Sequence, residues 1–214
     1  MRRNIQRVWE LVGVTWVFAL GNAGAASAEE AAPSCVVELA SVDAQSVPSF
    51  RGECVWSVAP AAVAAVLTDP ERLDAASELM LASYRLPDGR IVNVQKTAWP
   101  FEDRQSTLEV RDEPLPGGGL RRRYRLADEQ VTPRDGAVQV TVDEGSYEIV
   151  PGKNGTRLVL LMRYEPGGNL PTRIVQSQSP RVIAKGLAEL RAGAEKFARA
   201  NASPPNVASG PPAN

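Results

Sequence analysis

The sequence contains no histidine and only two cysteines in 214 residues. Without histidine, the protein has no imidazole general base, no Ser–His or Cys–His nucleophile and no His-ligated metal site. Two cysteines are too few for a zinc or iron–sulfur site made of cysteine alone. We therefore expect no metal, no cofactor and no catalytic residue of these kinds.

An excess of basic residues is also lacking, because 24 Lys and Arg stand against 25 Asp and Glu, a formal net charge of −1. Proteins that bind nucleic acid through their overall field are strongly basic, so nucleic acid is not an expected partner. The remaining composition, 43% hydrophobic and 23% charged, is typical of a soluble globular domain. The length is sufficient for one domain with its own core.

The first 28 residues have the layout of a secretory signal peptide. Three arginines fall within the first seven residues, 11–20 (LVGVTWVFAL) is an uncharged apolar run, and 26–28 (ASA) supplies small residues for cleavage. The apolar run is shorter than the ~20 residues that span a bilayer, so cleavage is favoured over a membrane anchor. We expect the mature chain to begin after Ala28 and to be exported, either to a periplasm or out of the cell.

The rest of the chain is predicted to be one domain followed by a tail. Residues 201–214 (NASPPNVASGPPAN) are rich in Pro, Ala, Ser and Asn and include one large aliphatic residue, Val207. Such a segment buries too little apolar surface to offset the entropy lost on ordering, so we expect it to be disordered. This leaves a single domain over 33–200.

Strand-like segments dominate this domain. Three turn signals, at 87–89 (PDG), 114–119 (PLPGGG) and 151–155 (PGKNG), each separate two such segments and predict three hairpins. In the segment 137–150 the alternation of apolar residues changes phase at Gly145, which predicts a bulge there. The predicted strands are 36–40, 50–58, 78–86, 90–99, 104–112, 120–127, 137–150 and 156–164.

Two segments have helical character. Residues 60–67 begin with a proline, which suits the first turn of a helix, and Asp69-Pro70 is expected to end that helix. Residues 171–200 carry apolar residues at helical spacing, with Pro180 predicted to kink this helix or divide it. Hairpins followed by a long terminal helix predict an antiparallel sheet packed against that helix, which is an α+β fold.

Residues 99–104 (WPFEDR) combine an aromatic–proline pair with an Asp-Arg pair at the start of a predicted strand. Residues 164–171 (YEPGGNLP) end in Gly–x–Leu–Pro immediately before the long helix. Together with the strand and short helix at 50–67, these motifs resemble START domains, the lipid-transfer modules related to steroidogenic acute regulatory protein. The resemblance covers 34–198 and departs from the family at Gln105, where a second acidic residue is common.

The resemblance implies a helix-grip fold, in which a curved antiparallel β-sheet is packed around a long C-terminal α-helix. It also implies an enclosed apolar cavity that binds or transfers one lipid or other hydrophobic small molecule, without catalysis. We expect the protein to be a monomer that contacts a membrane transiently, and the composition of the loops predicts that segment 81–90 or 169–180 moves to admit the ligand. The residues expected to line the cavity are Met80, Tyr84, Val92, Val94, Trp99, Arg104, Leu108, Val110, Arg122, Tyr124, Val140, Leu160, Met162, Ile183 and Leu187.

Two of these residues, Arg104 and Arg122, share a strand face that is otherwise apolar. A buried guanidinium without a partner is costly, so each arginine needs an anion. One interpretation is a ligand carboxylate or phosphate, with Arg122 in contact with a polar ligand head. The other is a structural pair with Glu78, Asp103, Glu144 or another acid.

The two cysteines, Cys35 and Cys54, fall on one face if the strands 36–40 and 50–58 pair as a hairpin. Export of the chain favours a disulfide between them, and the alternative is two buried thiols. A second expected feature is an outward row of arginines at 121, 123 and 125. Glu109 on the preceding strand is expected to pair with one of them across the sheet.

Two other functions stay open at this point. Polyketide cyclases share the helix-grip fold and use its cavity to fold a substrate, although no pair of catalytic groups stands out in this sequence. A protein without a cavity that serves as an interaction module in the cell envelope is the third possibility.

Overall fold

Within residues 35–97 and 100–202, which the computed structural model describes, nine strands form one sheet. The predicted leader at 1–28, Trp99 and the tail from residue 203 lie outside the described residues. The strands are β1 Cys35–Val42, β2 Pro48–Trp56, β3 Met80–Arg85, β4 Ile91–Gln95, β5 Asp103–Leu115, β6 Gly119–Leu126, β7 Ala137–Gln139, β8 Val142–Gly152 and β9 Gly155–Glu165. Their order across the sheet is β1-β2-β9-β8-β6-β5-β4-β3, with β7 beside β5. All neighbours are antiparallel except β5 and β7.

The three predicted hairpins are confirmed as β3–β4, β5–β6 and β8–β9. The predicted strand at 137–150 is divided, because β7 pairs with β5 and β8 pairs with β6 and β9. The interruption lies at 140–141, and β8 keeps its register through Gly145. The predicted bulge at Gly145 is therefore wrong, and the change of phase comes from the passage between two strands.

Three helices accompany the sheet in the described part of the chain: α1 Pro60–Leu67, α2 Pro70–Ala76 and α3 Thr172–Ala202. The helix α2 was not predicted, because Asp69-Pro70 was interpreted only as the end of α1. The Asp69 side chain accepts hydrogen bonds from the backbone N–H groups of Glu71 and Arg72, and Pro70 occupies the first turn. An aspartate cap followed by proline is equally a start signal for a helix.

The long helix α3 is confirmed and continues through Pro180 without interruption, so no first segment is split off. It also includes Asn201 and Ala202, which the sequence assigned to the tail. Among the described residues, no helix has both the length and the apolar character needed to cross a membrane.

The face of the sheet that α3 covers is identified by Gly52. A Cβ atom placed on Gly52 would lie 3.1 Å from Leu187 Cδ1 of α3. Gly52 is in register with Leu160, which is opposite Tyr147, which in turn is opposite Arg122. Residues in register share a face and side chains alternate along a strand, so this row defines the inner face, and the opposite side is the outer face.

A hydrophobic core fills the space between part of the inner face and the helices α1 and α3. Leu190 and Ala194 of α3 are buried against α1, and α3 approaches α2 so closely that a Cβ on Gly193 would lie 2.6 Å from Ala76 Cβ. The buried members of the core are Cys54, Trp56, Val58, Ala62, Val63, Val66, Leu67, Ile149, Leu158, Leu160, Leu187, Leu190 and Ala194.

A disulfide joins Cys35 to Cys54, as predicted. The two residues are directly opposite each other in the β1–β2 pair and are separated by 19 positions in sequence. The bond therefore fixes the edge strand β1 to the part of the sheet against which α3 packs.

Candidate functional site

The inner face has two halves that differ in what covers them. The filled half is the hydrophobic core described above, and α3 packs mainly against α1, α2, β1 and β2. Near the middle of the sheet, the inner-face residues Val110 of β5, Tyr147 of β8, and Met162 and Tyr164 of β9 are half-buried, whereas Tyr124 and Asp143 beside them are buried. We call this region the open half and define it by Val110, Tyr124, Asp143, Tyr147, Met162 and Tyr164.

Asp143 is the carboxyl group of the open half, and only 4% of the residue is exposed. The Ser106 hydroxyl donates a hydrogen bond to it, and no lysine or arginine of the described residues forms an ion pair with it. Burial raises the pKa of Asp143 to about 7, because the charged form loses hydration, while the Ser106 hydrogen bond opposes this shift. Asp143 is thus a buried acid that changes charge near neutral pH.

Three tyrosines surround this acid on neighbouring strands. Tyr164 is directly opposite Asp143, and the rings of Tyr124 and Tyr147 lie 5.8 Å apart between centroids. Burial raises the pKa of Tyr147 to about 12 and also raises the pKa of Tyr124 and of Tyr164. All three phenols therefore keep their protons at neutral pH.

The Tyr124 hydroxyl is buried and has no hydrogen-bond partner in the described part of the chain. A Cβ on Gly145, the residue opposite Tyr124, would lie 2.9 Å from this hydroxyl and 2.1 Å from the Leu161 carbonyl oxygen. Only glycine at this position leaves room for the Tyr124 side chain, so Gly145 is part of the site.

Arg122 has a structural role. Its Nε and Nη2 donate to the Asp112 carboxylate at 2.7 and 2.8 Å, and its Nη1 donates to the Leu67 carbonyl oxygen at 2.7 Å. A longer bond of 3.4 Å reaches the Thr68 carbonyl oxygen. Arg122 therefore joins the end of α1 to the sheet, and its acid is the residue directly opposite it on β5.

Arg104 is also buried, at 4% exposure, but its partners are not acids. Its guanidinium donates to the carbonyl oxygens of Glu102, Asp103 and Gly167, the last at 3.5 Å. Its Nε has no hydrogen-bond partner among the described residues. The expectation that each buried arginine needs an anion is thus met for Arg122 and is wrong for Arg104, whose charge is solvated by backbone carbonyl groups.

Solved structures share this arrangement of sheet and helix. A STAR-related lipid transfer protein from Xanthomonas axonopodis has a TM-score of 0.69 and 21% identity, covering 77% of this chain and 95% of that chain. Human STARD10 has a TM-score of 0.69 and 16% identity, covering 78% and 72%. Human StAR-related lipid transfer protein 5 has a TM-score of 0.67 and 16% identity, covering 77% and 84%.

The chain has the START fold. The predicted helix-grip architecture, a curved antiparallel sheet with a long C-terminal helix, is confirmed. No protein-family model and no curated protein matches the sequence.

On this START fold, most of the predicted lining residues lie on the inner face or on α3. Leu160 and Leu187 belong to the filled half, and Ile183 packs at its border. Trp99 lies outside the described residues. The remaining inner-face members are Met80, Arg104, Leu108, Val110, Arg122, Tyr124, Val140 and Met162.

Tyr84, Val92 and Val94 are on the outer face, because the register places them opposite or beside residues that point away from α3. Val92 and Val94 are nevertheless buried. The loop 127–136 covers this part of the outer face, where the Gln105 side chain donates to the Val131 carbonyl oxygen at 3.1 Å. Because this part of the outer face is also buried, its residues are apolar, and apolar character alone did not show on which face they lie.

Sequence reasoning missed Asp143, Ser106, Tyr147 and Tyr164 as members of the site. The predicted change of phase at Gly145 placed Asp143 and Tyr147 on opposite faces of one strand, so Asp143 was expected to point outward. The available signal was the change of phase itself, because a strand break before Val142 explains it equally well and places Asp143 on the same face as Tyr147.

A separate groove of about 660 Å³ crosses the outer face of the sheet. Its walls include charged side chains that alternate with the inner-face residues, and Arg125 pairs with Glu109 at 2.6 Å as predicted. Arg163 pairs with Glu144 at 2.7 Å. This groove is on the opposite side of the sheet from the predicted cavity, and its charges neutralise each other locally.

Proposed function

We propose that this protein binds a hydrophobic small molecule such as a lipid between the open half and α3, and that it does so without catalysis. The observation that carries this proposal is the half-buried state of Val110, Tyr147, Met162 and Tyr164. Side chains in the middle of a sheet that faces a long helix are ordinarily fully packed, and incompletely buried apolar and aromatic side chains there favour a guest molecule. The solved structures with the same fold that are named lipid transfer proteins support the same class of ligand.

A non-catalytic role is supported by the groups available in the open half. Asp143 is one carboxyl group without a second acid or base beside it, and the neighbouring phenols keep their protons at neutral pH. General acid–base catalysis needs groups whose pKa values suit proton transfer in both directions. The cyclase-like enzyme is the alternative outcome of the experiment below.

We further propose that the chain is exported, as a monomer that contacts a membrane when it exchanges its ligand. The disulfide between Cys35 and Cys54 supports export, because such bonds persist in oxidising compartments. Cell fractionation together with N-terminal sequencing of the mature protein tests this. Recovery of an uncleaved chain from a reducing compartment would contradict it.

The test of ligand binding is native mass spectrometry of the purified protein, followed by extraction and identification of any bound lipid. Val110→Trp should fill the open half and abolish the bound mass. Val55→Trp is the matched control, because Val55 is 69% exposed and its strand position lies on the outer face. Circular dichroism confirms folding of both variants, and Met162→Phe replaces Val110→Trp if that variant does not fold.

The proposal is overturned if the wild-type protein carries no ligand and takes up no neutral hydrophobic dye. Conversion of a polyketide substrate by the purified protein would identify the cyclase-like enzyme instead. Equal ligand loss in the Val55 and Val110 variants would place binding somewhere other than the open half.

A further inference from the structure

The open half contains a carboxyl group, that of Asp143, and a hydroxyl group without a hydrogen-bond partner among the described residues, that of Tyr124. Asp143 receives a hydrogen bond from Ser106, which leaves most of its lone pairs free, and no described cation pairs with it. Tyr124 is 9% exposed and its hydroxyl group has no partner among the described residues. A buried carboxylate without a cation and a buried hydroxyl without a partner are both costly, so each favours a ligand group that completes it.

The two groups are close enough to act on one ligand atom. Asp143 lies two residues before Gly145 on β8, and Gly145 is opposite Tyr124 on β6, so the two residues are diagonal neighbours on one face. Diagonal neighbours in a sheet have Cβ atoms about 7 Å apart. The Tyr124 hydroxyl oxygen lies 2.9 Å from the Cβ position of Gly145, and Asp143 is the neighbouring residue on the same face of that strand. A ligand nitrogen placed between the carboxylate and this hydroxyl is therefore within reach of both.

The basic groups nearby do not offer a site for an anion. Arg122 is paired with Asp112 and with the end of α1, and Arg104 directs all its described hydrogen bonds to backbone carbonyl groups. Only the Nε of Arg104 remains without a partner in the described part of the chain. A carboxylate or phosphate head group beside Asp143 would therefore meet like charge, and Arg104 has only the single N–H of its Nε left to offer it.

We propose that the open half selects amphiphiles whose head group is a protonated amine, bound by the Asp143 carboxylate and the Tyr124 hydroxyl oxygen. This inference rests on the proposed function, since the hydrophobic tail of the amphiphile occupies the space between the open half and α3. The ammonium group supplies the cation that Asp143 lacks and donates the hydrogen bond that Tyr124 lacks.

The selection has a defined dependence on pH. The groups that face Asp143 are Ser106 on β5, Tyr124 on β6, Tyr147 on β8 and Tyr164 on β9, with the cations of Arg104 and Arg122 on the same inner face. Burial raises the pKa of each of the three phenols, which therefore stay protonated near neutral pH, so Asp143 is the acid that titrates there. Affinity for the amine rises as pH increases through about 7, because the carboxylate form becomes populated.

The experiment compares dodecylamine, dodecanol and dodecanoate, which share one tail and differ in head group, as competitors for bound Nile red. Titrations at about pH 8 keep the amine protonated and both carboxyl groups ionised. On the wild-type protein, dodecylamine should displace the dye at a concentration about tenfold below that of dodecanoate. The amphiphiles are used as monomers, below the concentration at which they aggregate.

Asp143→Asn should abolish this preference, because the amide keeps the shape and loses the charge. Asp135→Asn is the matched control, since Asp135 is exposed and makes the same chemical change far from the site. Tyr124→Phe should reduce the preference by a smaller factor, and it tests the same site if the Asp143 variant does not fold.

The outcomes separate this inference from the proposed function. Equal displacement by all three amphiphiles, or a preference for dodecanoate, overturns the selection for amines and leaves binding of hydrophobic molecules in place. Failure of the protein to bind Nile red or any of the three overturns both. A preference for the amine that survives in Asp143→Asn and in Tyr124→Phe also overturns the assignment to this site.

Discussion

The filled half and the open half occupy the same face of the same sheet but are built from different chemistry. The filled half presents Leu158, Leu160 and Ile149 to α1 and α3, and these side chains are almost completely buried. The open half presents Tyr147, Met162 and Tyr164, which are larger or more polar and remain half-buried. On β9, Leu160 thus belongs to the core, while Met162, the next residue on the same face, belongs to the candidate binding surface.

From this difference we expect the stability of the fold and the proposed ligand binding to depend on separate parts of the sheet. Core positions are expected to contribute to the free energy of unfolding, and open-half positions to ligand binding with little effect on stability. Matched pairs of variants, one in each region, test this expectation.

The largest effect is expected for Leu160→Ala in the filled half. It should lower the free energy of unfolding by about 3–5 kcal/mol, because it leaves a cavity in a packed core. Met162→Ala, at the next inward position of the same strand, should cost less than about 1.5 kcal/mol, because its side chain is only partly buried. Urea unfolding measures both free energies, and equal losses would contradict the difference in packing between the two halves.

Removal of the disulfide with Cys35→Ser and Cys54→Ser should lower the free energy of unfolding by about 3 kcal/mol, the chain-entropy value for a loop of this length. The loss arises in the β1–β2 pair, which supports α3 and thus the filled half. Unfolding of the wild-type protein with and without reductant provides the control. A double variant as stable as the oxidised wild type would show that β1 is held by other contacts.

Arg122→Met should lower the free energy of unfolding by about 2 kcal/mol, since it leaves Asp112 and the Leu67 carbonyl group without their partner. Partial exposure of Asp112 limits the effect. Arg125→Met, on the outer face of the same strand, should cost less than about 1 kcal/mol, because its pair with Glu109 is exposed to solvent. Thermal unfolding ranks the two variants, and the reverse order would contradict the structural role of Arg122.

Asp143→Asn should have an effect of the opposite sign and raise the free energy of unfolding above about pH 7, because it removes a buried carboxylate whose charged form is poorly hydrated. The folded-state pKa of about 7 is above the usual value of 3.8, so the folded protein binds more protons between these values. Wild-type stability should therefore fall as pH rises from about 4 to about 7, and this decline should be weaker in the variant. Melting temperatures measured across that pH range compare the two proteins, and an equal decline in both would contradict the prediction. Asp135→Asn, the control, is expected to follow the wild type.

The sequence was sufficient to predict the sheet, its three hairpins, the long helix and the disulfide, because each depends on local turn signals, periodicity or compartment. It did not distinguish the two faces of β4, where the outer positions Val92 and Val94 are apolar and the inner position Asn93 is polar. Asn93 accepts a hydrogen bond from Ser83 on the inner face, while the loop 127–136 covers the valines. Which face of a strand is covered by a distant loop is a tertiary property that alternation does not encode.

The partners of the arginines were beyond sequence reasoning for a related reason. Asp112 is opposite Arg122 only because the β5–β6 hairpin has its particular register, and a shift by one residue would separate them. Arg104 forms no ion pair with an acid within 35–97 and 100–202, and the fold instead brings carbonyl groups of 102–103 and 167 to its guanidinium.

The bonds from Arg122 to the end of α1 have a mechanical consequence. The end of α1 is joined to the sheet because Arg122 binds both the Leu67 carbonyl oxygen and Asp112. We therefore expect this end of α1 to move together with β5 and β6. The first turns of α3 bury Val175 but leave Ile174 and Val182 exposed. We therefore expect any opening for a ligand to involve the first turns of α3 rather than the end of α1.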